Sequence, residues 1–509
     1  MRPRMNRPAP GWTDFKTVPY SHQEKEFDLH RDTPARALIW QMRTGKTKSM
    51  IDLACYLFKR CEIDGVVVVA PNNVHLNWET RELPAHHWNS VRYASFVWDA
   101  SKAIDVRYDQ LFDRHCAEHR KLAWYMVNAE ALGNEKGKKY LAKFLRTRWR
   151  ILLVVDEVHE FRWATSKRSA GLRAVARQGK VPFRRILSAN PIDNSPLHAF
   201  AEFEVLERGA LGFEKYADFE ARYGVKEDIY IPGGYSKDGT KRAPRKMPAI
   251  TGFKNQDELR RKIAKWSSLV LREDCDDLPE LLHGQVLFEL TATQKRLHND
   301  LVRAALARLD TGELIPPAEG GVLRIRLQQI ASGFIKDEDN NTIDVVSEAK
   351  NPRMLALINS LNEVSGKAII WCQFREDVVR VHRRINALDM GDAVHYYGGT
   401  SKRERPIHEA RFRNDPKRRW LVGQYQAGGQ GLDFSAASDI FWYSHTTDLL
   451  RRRQADERAT KVGGRRIGVT DLVAVGSNDE KMLMNLDSKE VTADYLTGQG
   501  LRDYLNLIR

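Results

Sequence analysis

A chain of 509 residues and 58.5 kDa exceeds one ordinary hydrophobic core, and a 42% hydrophobic fraction with 12 Trp, 16 Tyr and 19 Phe excludes a disordered chain. The 82 Lys and Arg against 67 Asp and Glu leave a formal charge of +15, a balance that suits a polyanionic partner, although a merely basic soluble protein shares it. Five scattered cysteines without a C-x-x-C pair indicate neither a disulfide framework nor a zinc site, and no membrane-length apolar run or signal peptide is read, so a cytoplasmic, membrane-free, multidomain protein is expected.

In chain order, short apolar runs rich in β-branched residues at 37–40, 66–70, 151–155 and 185–187 are separated by stretches long enough for helices, the pattern of a parallel sheet built from βαβ units. A second series stands at 368–371, 420–423, 440–443 and 472–475. The fold class is therefore α/β with two parallel-sheet lobes, 1–208 and 350–509, around a mainly helical region at 209–349. In that middle region 257–271 and 293–309 read as charged helices. The Gly/Pro-containing stretch 231–252, with Lys237, Lys241, Arg242, Arg245 and Lys246, reads as a surface loop or, alternatively, a DNA-contacting hairpin.

Residues 37–47 read Ala-Leu-Ile-Trp-Gln-Met-Arg-Thr-Gly-Lys-Thr, a strand running into a loop, and 48–60 continue with a helical pattern. This is the setting of a phosphate-binding loop. Gly45, after Thr44, lets the backbone approach phosphates; Lys46 can reach the β- and γ-phosphates, and the Thr47 hydroxyl can bind Mg²⁺ at the positive end of the helix. Trp40 stands where the full loop pattern has its first glycine. The strand at 151–155 ends in Asp156-Glu157-Val158-His159, and carboxylates that close a parallel strand lie at the sheet edge where the loop also lies. Asp156 is thus a candidate for the Mg²⁺ shell, and Glu157 for the base that orients and deprotonates an attacking water; the alternative is a strand that simply ends in acidic residues. His159 either couples the nucleotide to other parts of the chain or is a polar surface residue, and Trp78 and Trp371 read as core before base-stacking groups.

Gly-Lys-Thr followed by Asp-Glu-Val-His resembles the nucleotide site of superfamily 2 helicases, and further segments narrow the likeness to the Swi/Snf-type ATPases. Residues 70–79, ending in Asn-Trp78-Glu, are similar to motif Ia, which lies on the DNA side of the first lobe in that family; 188–196 are similar to motif III. Leu271-Arg272, Leu278-Pro279 and 290–294 resemble the family's stretch between the lobes. In the second series, 367–374 resemble motif IV, Tyr397-Gly-Gly-Thr400 with Arg405 the backbone-contacting turn, 426–433 motif V and 454–463 motif VI, so the likeness covers about 19–496.

The resemblance implies two RecA-like lobes with a Swi/Snf-type insertion, and ATP with Mg²⁺ as cofactors. It implies that Gln23, in Pro19-Tyr-Ser-His-Gln23, reads adenine, that Thr44, Gly45, Lys46, Thr47, Gly431 and Asp433 surround the nucleotide, that Thr47 and Asp156 hold the metal, that Gln454 senses the γ-phosphate and that Arg458 is an arginine finger tying hydrolysis to lobe closure. Where the family has a second arginine this chain has Lys461, which keeps a charge but loses the planar fork, so a two-finger mechanism is in doubt; Arg451, Arg452 and Arg453 are close enough in sequence to substitute, or form a solvated basic turn. Asn190 for Thr and Gln426 for Arg are further departures, expected to alter coupling and spare ATPase activity.

The activity implied is that of an ATP-dependent DNA translocase or helicase, a monomer acting on duplex or forked DNA. The chain also resembles compact bacteriophage-encoded helicases, which implies viral or bacterial DNA replication, recombination or repair, with replication or recombination proteins as partners. Alternatives are an RNA helicase, the motor subunit of a restriction system, and a non-hydrolysing nucleic-acid-binding protein of the same fold. Contacts to backbone phosphates carry little sequence information, so binding is expected to weaken steeply with added salt and to show little sequence preference; a salt-insensitive, sequence-selective footprint contradicts this.

Overall fold

The computed structural model describes residues 14–483 apart from positions 73, 104, 338, 389, 402 and 447 and the stretches 190–194, 232–233, 236–240, 243–244, 272–274, 276–279, 311–316, 427–433 and 461–463. They fall into two compact units, one within 1–229 and 246–276, the other within 230–245 and 277–491. Among the described residues no helix is long and apolar enough to cross a membrane.

In the first unit, helix α1 (Ser21–His30) leads to strand β1 (Ala35–Trp40), helix α2 (Lys46–Lys59) and strands β2 (Gly65–Ala70), β3 (Tyr93–Val97), β4 (Leu122–Asn128), β5 (Ile151–Val155) and β6 (Phe183–Ser188). Strands β7 (Gly224–Ile231) and β10 (Arg245–Phe253) pair with each other, and so do the short β8 (Gly234–Tyr235) and β9 (Lys241–Arg242), which belong to the second unit, so much of the expected loop at 231–252 is paired, extended backbone. The side chains of its basic residues lie outside the described ones. Strand β11 (Ser267–Val270) completes a sheet of order β11, β1, β6, β5, β2, β4, β3 whose neighbours all run parallel.

Such a sheet must be covered on both faces, and the pleat sends alternate residues to each. Ala37, Ile39, Val67, Val69, Leu153 and Val155 join one core, while Leu38, Trp40, Val66, Val68, Leu152 and Val154 join the other. This explains why β2 and β5 read as unbroken apolar runs. The helix expected at 257–271 stops at Trp266, because Ser267–Val270 pair in register with Ala37–Trp40.

The second unit carries β12 (Leu281–Phe288), an antiparallel hairpin of β13 (Phe334–Lys336) and β14 (Thr342–Asp344), and then β15 (Lys367–Cys372), β16 (Asp392–Tyr396), β17 (Arg418–Gln424), β18 (Ala437–Trp442) and β19 (Ile467–Ala474). Its parallel sheet has the order β12, β19, β18, β15, β17, β16. Ile370, Cys372, Trp420 and Val422 face one core, and Ile369, Trp371, Leu421 and Ile440 the other. The region 209–349, set apart by sequence, thus lends β11 to the first sheet and β12 to the second; it also holds the helices Ala292–Asp310 and Pro317–Ser332.

Buried charge fixes the strand ends of the second sheet. Arg353, fully buried, donates to Asp479 and to Tyr443 O (2.9 Å). Arg452 donates to both oxygens of Asp471 on β19 (2.7 and 2.8 Å) and lies 4.7 Å from the Trp442 ring, while Trp442 Nε1 donates to Asp456 Oδ1 at 2.7 Å. Burial pushes the Asp456 carboxyl up to about 7 against the pull of Arg452. Its folded value lies above its unfolded one, so the native state holds the extra proton between about pH 4 and 7 and loses stability as pH rises through that window. Thermal unfolding at pH 5 and pH 7.5 should therefore show Asp456→Asn gaining on the wild type as pH rises; parallel pH dependence of the two proteins would refute this.

Candidate active site

The chain leaves β1 at Trp40 and turns through 41–45 into α2. Gly45 has φ +80°, and a Cβ there would stand 2.0 Å from Gln23 Nε2, so both backbone conformation and space require glycine. Gln23 is 2% exposed: its Oε1 accepts from Tyr20 N (2.8 Å), capping α1, and its Nε2 donates to Gly45 O (3.0 Å) and Thr44 O (3.4 Å). His22, packed between the rings of Tyr20 and Trp40, donates from Nε2 to Thr44 O at 2.7 Å. The segment expected to read adenine is therefore also a brace beneath the loop, and His22 is a member of it that the sequence reading passed over.

Thr44, buried, donates to Gln41 O at 2.7 Å, and Lys46 Nζ donates to Trp40 O (2.6 Å) and Gln41 O (3.2 Å). Lys46 and Thr47 open α2, whose N-terminus has no side-chain cap and no acidic residue in its first turn. Its first amides and positive end suit an anion, and with an ammonium beside them the donor set fits phosphates.

Asp156 and Glu157 follow β5, two strands along the sheet from β1. Asp156 is buried; its N donates to Val69 O (2.8 Å) and its Oδ2 accepts from Trp78 Nε1 at 3.1 Å. Burial, then the neighbouring Glu157 charge, push the Asp156 carboxyl upward, and Lys46 and the Trp78 bond oppose them. Oxygens from Thr47, in the first turn of α2, and Asp156, just past β5, are hard donors of the kind Mg²⁺ takes. Glu157 has a left-handed backbone (φ 51°), as does Arg43 in the loop after β1 (φ 64°), conformations that cost a non-glycine residue about 1–3 kcal/mol and cluster at functional sites. Glu157 Oε2 lies 3.2 Å from His159 Nδ1, and both residues are buried, which removes the surface reading of His159. Trp78 is 1% exposed and Trp371 fully buried, so both are core, but Trp78 is also a partner of the site that sequence could not identify.

In the second unit, Gln454 lies on the helix Leu449–Asp456, buried, and its Nε2 has no hydrogen-bond partner among the described residues. Arg458 sits in the 3₁₀ turn Glu457–Ala459, 8% exposed, and its carbonyl accepts from Phe434 N at 3.1 Å. Arg452 is not available as a substitute finger, because its guanidinium is buried on Asp471; Arg451 is exposed and pairs with Asp448 (3.2 Å). Arg405 Nε donates to Thr400 O (3.1 Å), tying down the Tyr397–Thr400 turn, and Gln426 donates to Tyr425 OH (3.0 Å). Gly431, Asp433, Lys461 and Asn190 lie outside the described residues.

The chain matches the SNF2-related domain over residues 30–328 and the helicase conserved C-terminal domain over 349–463. It is 23% identical to YwqA of Bacillus subtilis (strain 168) over 84% of this chain and 43% of that protein, and 23% identical to the DNA annealing helicase and endonuclease ZRANB3 of Homo sapiens over 95% of this chain and 41% of that protein. It spans less than half the length of these relatives. In structure it is similar to the Sulfolobus solfataricus SWI2/SNF2 ATPase core in complex with dsDNA, at 19% identity and a TM-score of 0.40 over 96% of this chain and 95% of that one. With more than half of its residues matched by one domain description, the chain belongs to the SNF2-related, Swi/Snf-type family of superfamily 2.

Proposed function

We propose that this chain is an ATP-dependent DNA translocase or helicase, a DNA-stimulated ATPase that moves as a monomer on duplex or forked DNA without sequence preference. The observation that carries this reading is the meeting of the Lys46 loop and the Asp156-Glu157 pair at one edge of a parallel sheet, close enough for the lysine charge to act on Asp156. The formal charge of +15 supports a polyanionic track, and the name of the relative ZRANB3, a DNA annealing helicase and endonuclease, supports DNA over RNA. Viral or bacterial DNA replication, recombination or repair in the bacterial cytoplasm is the proposed setting, in accord with a Bacillus protein among the relatives.

Bound Mg²⁺ would offset the phosphate charge. Lys46 would exchange the carbonyls of Trp40 and Gln41 for β- and γ-phosphate oxygens, and Thr47 and Asp156 would hold the metal shell. Glu157, steadied by His159, would take the proton of the attacking water as its oxygen bonds the γ-phosphorus and the bond to the β–γ bridging oxygen breaks. Gln23 would meet adenine while bracing the loop, Gln454 would sense the γ-phosphate with the amide nitrogen that has no hydrogen-bond partner among the described residues, and Arg458 would serve as the finger. Gly431 and Asp433 keep the nucleotide-binding roles that the family resemblance gives them, and Lys461 offers a charge where the family has its second arginine.

Phosphate release should rise with duplex DNA more than with single-stranded DNA or RNA, and Glu157→Gln should lower it at least about 100-fold; unchanged release in that variant would sink the catalytic assignment. Gly45→Ala places a methyl against Gln23 and strains a left-handed residue by about 1–2 kcal/mol, so binding of a fluorescent ATP analogue should weaken at least tenfold, about 1.4 kcal/mol. Wild-type affinity in Gly45→Ala would show the brace to be dispensable.

A further inference from the structure

Trp78 lies where the short helix Val74–Asn77 passes into a five-residue π-helical turn, Trp78–Glu82, before the helix resumes at Leu83–His86. Such turns are rare overall and frequent at functional sites. Here the indole is 1% exposed, in the core on the α2 side of the first sheet, and its one polar atom donates to Asp156 Oδ2 at 3.1 Å. An indole N–H can only donate, and a buried carboxylate oxygen can only gain from a donor, so the pair satisfies two groups that would each be costly alone. The neighbouring Trp124 is a natural contrast: its ring centroid is 6.2 Å from that of Trp78, it is fully buried in the same core, and its Nε1 has no hydrogen-bond partner among the described residues.

We infer that Trp78 is a positioning residue for the metal site: its indole N–H holds one oxygen of Asp156 and so fixes how the carboxylate is presented to a divalent cation bound with nucleotide. The inference rests on the reading of Asp156 as a Mg²⁺-shell residue. Partners that orient a ligating carboxylate typically change metal affinity by about 10- to 100-fold when removed.

The test is binding of a fluorescent ADP analogue to the full chain, measured with Mg²⁺ and again with EDTA, in wild type, Trp78→Phe and Trp124→Phe. Trp78→Phe should lose about tenfold or more of the affinity gained from Mg²⁺ while binding in EDTA stays as in wild type, and Trp124→Phe, which removes the same atoms from the same core, should keep the gain. Incorporation of benzothienylalanine at position 78, which replaces the indole N–H by sulfur at nearly constant shape, should reproduce the Trp78→Phe result without a cavity and serves if that variant fails to fold. Retention of the full Mg²⁺ gain in either position-78 protein, or an equal loss in Trp124→Phe, overturns the inference while leaving the ATPase reading intact. A wild type that binds no nucleotide with Mg²⁺ overturns both.

Discussion

Every strand of the first sheet runs the same way, so every C-terminal end lies on one edge, and the candidate site residues of that unit gather there by geometry and not by proximity in sequence. Lys46 follows β1, Asp156 follows β5 and Ser188 ends β6, residues more than a hundred positions apart at the extremes yet on neighbouring strands. The second sheet repeats the device: Gln373, just past β15, takes a bond to Ser444, just past β18 (2.8 Å), and accepts one from Gln424 at the end of β17 (3.3 Å). Apolar runs buried on both faces hold these edges rigid, which lets loops carry the polar work.

At such an edge polar groups are buried without a surrounding ladder, and each must find a specific partner. Gln23 finds the carbonyls of Thr44 and Gly45, Asp156 finds the indole of Trp78, and Glu157 lies against His159. The same edge holds two of the left-handed non-glycine residues, Arg43 and Glu157, so backbone strain and the proposed chemistry coincide. The packed sheet beneath can sustain that cost.

Charge in the second unit divides by burial in a way that residue type does not predict. Arg451 and Arg452 are identical in sequence terms, but one is exposed beside Asp448 and the other is sealed on Asp471 against the Trp442 ring. Arg452 therefore anchors the helix that carries Gln454.

By itself the sequence determined the α/β class and the two series of strands and singled out the loop and the carboxylate pair as candidates, because runs such as Val66–Ala70 and Ile151–Val155 and the order Gly-Lys-Thr then Asp-Glu are local patterns that survive without knowledge of the fold. Strand β11 could not be read from Ser267–Val270, four residues whose extended form is decided by pairing with β1, nor β12, whose His283, Gly284 and Gln285 are exposed. The middle region looked like a separate body for the same reason: its composition is local, but the sheets its strands complete are not. Only tertiary structure decided that Trp78 serves Asp156, 78 residues away, that Gln23 lies beneath Gly45, and that Arg452 is structural. Each of these depends on which groups burial leaves without water, a quantity that exists only once the chain is packed.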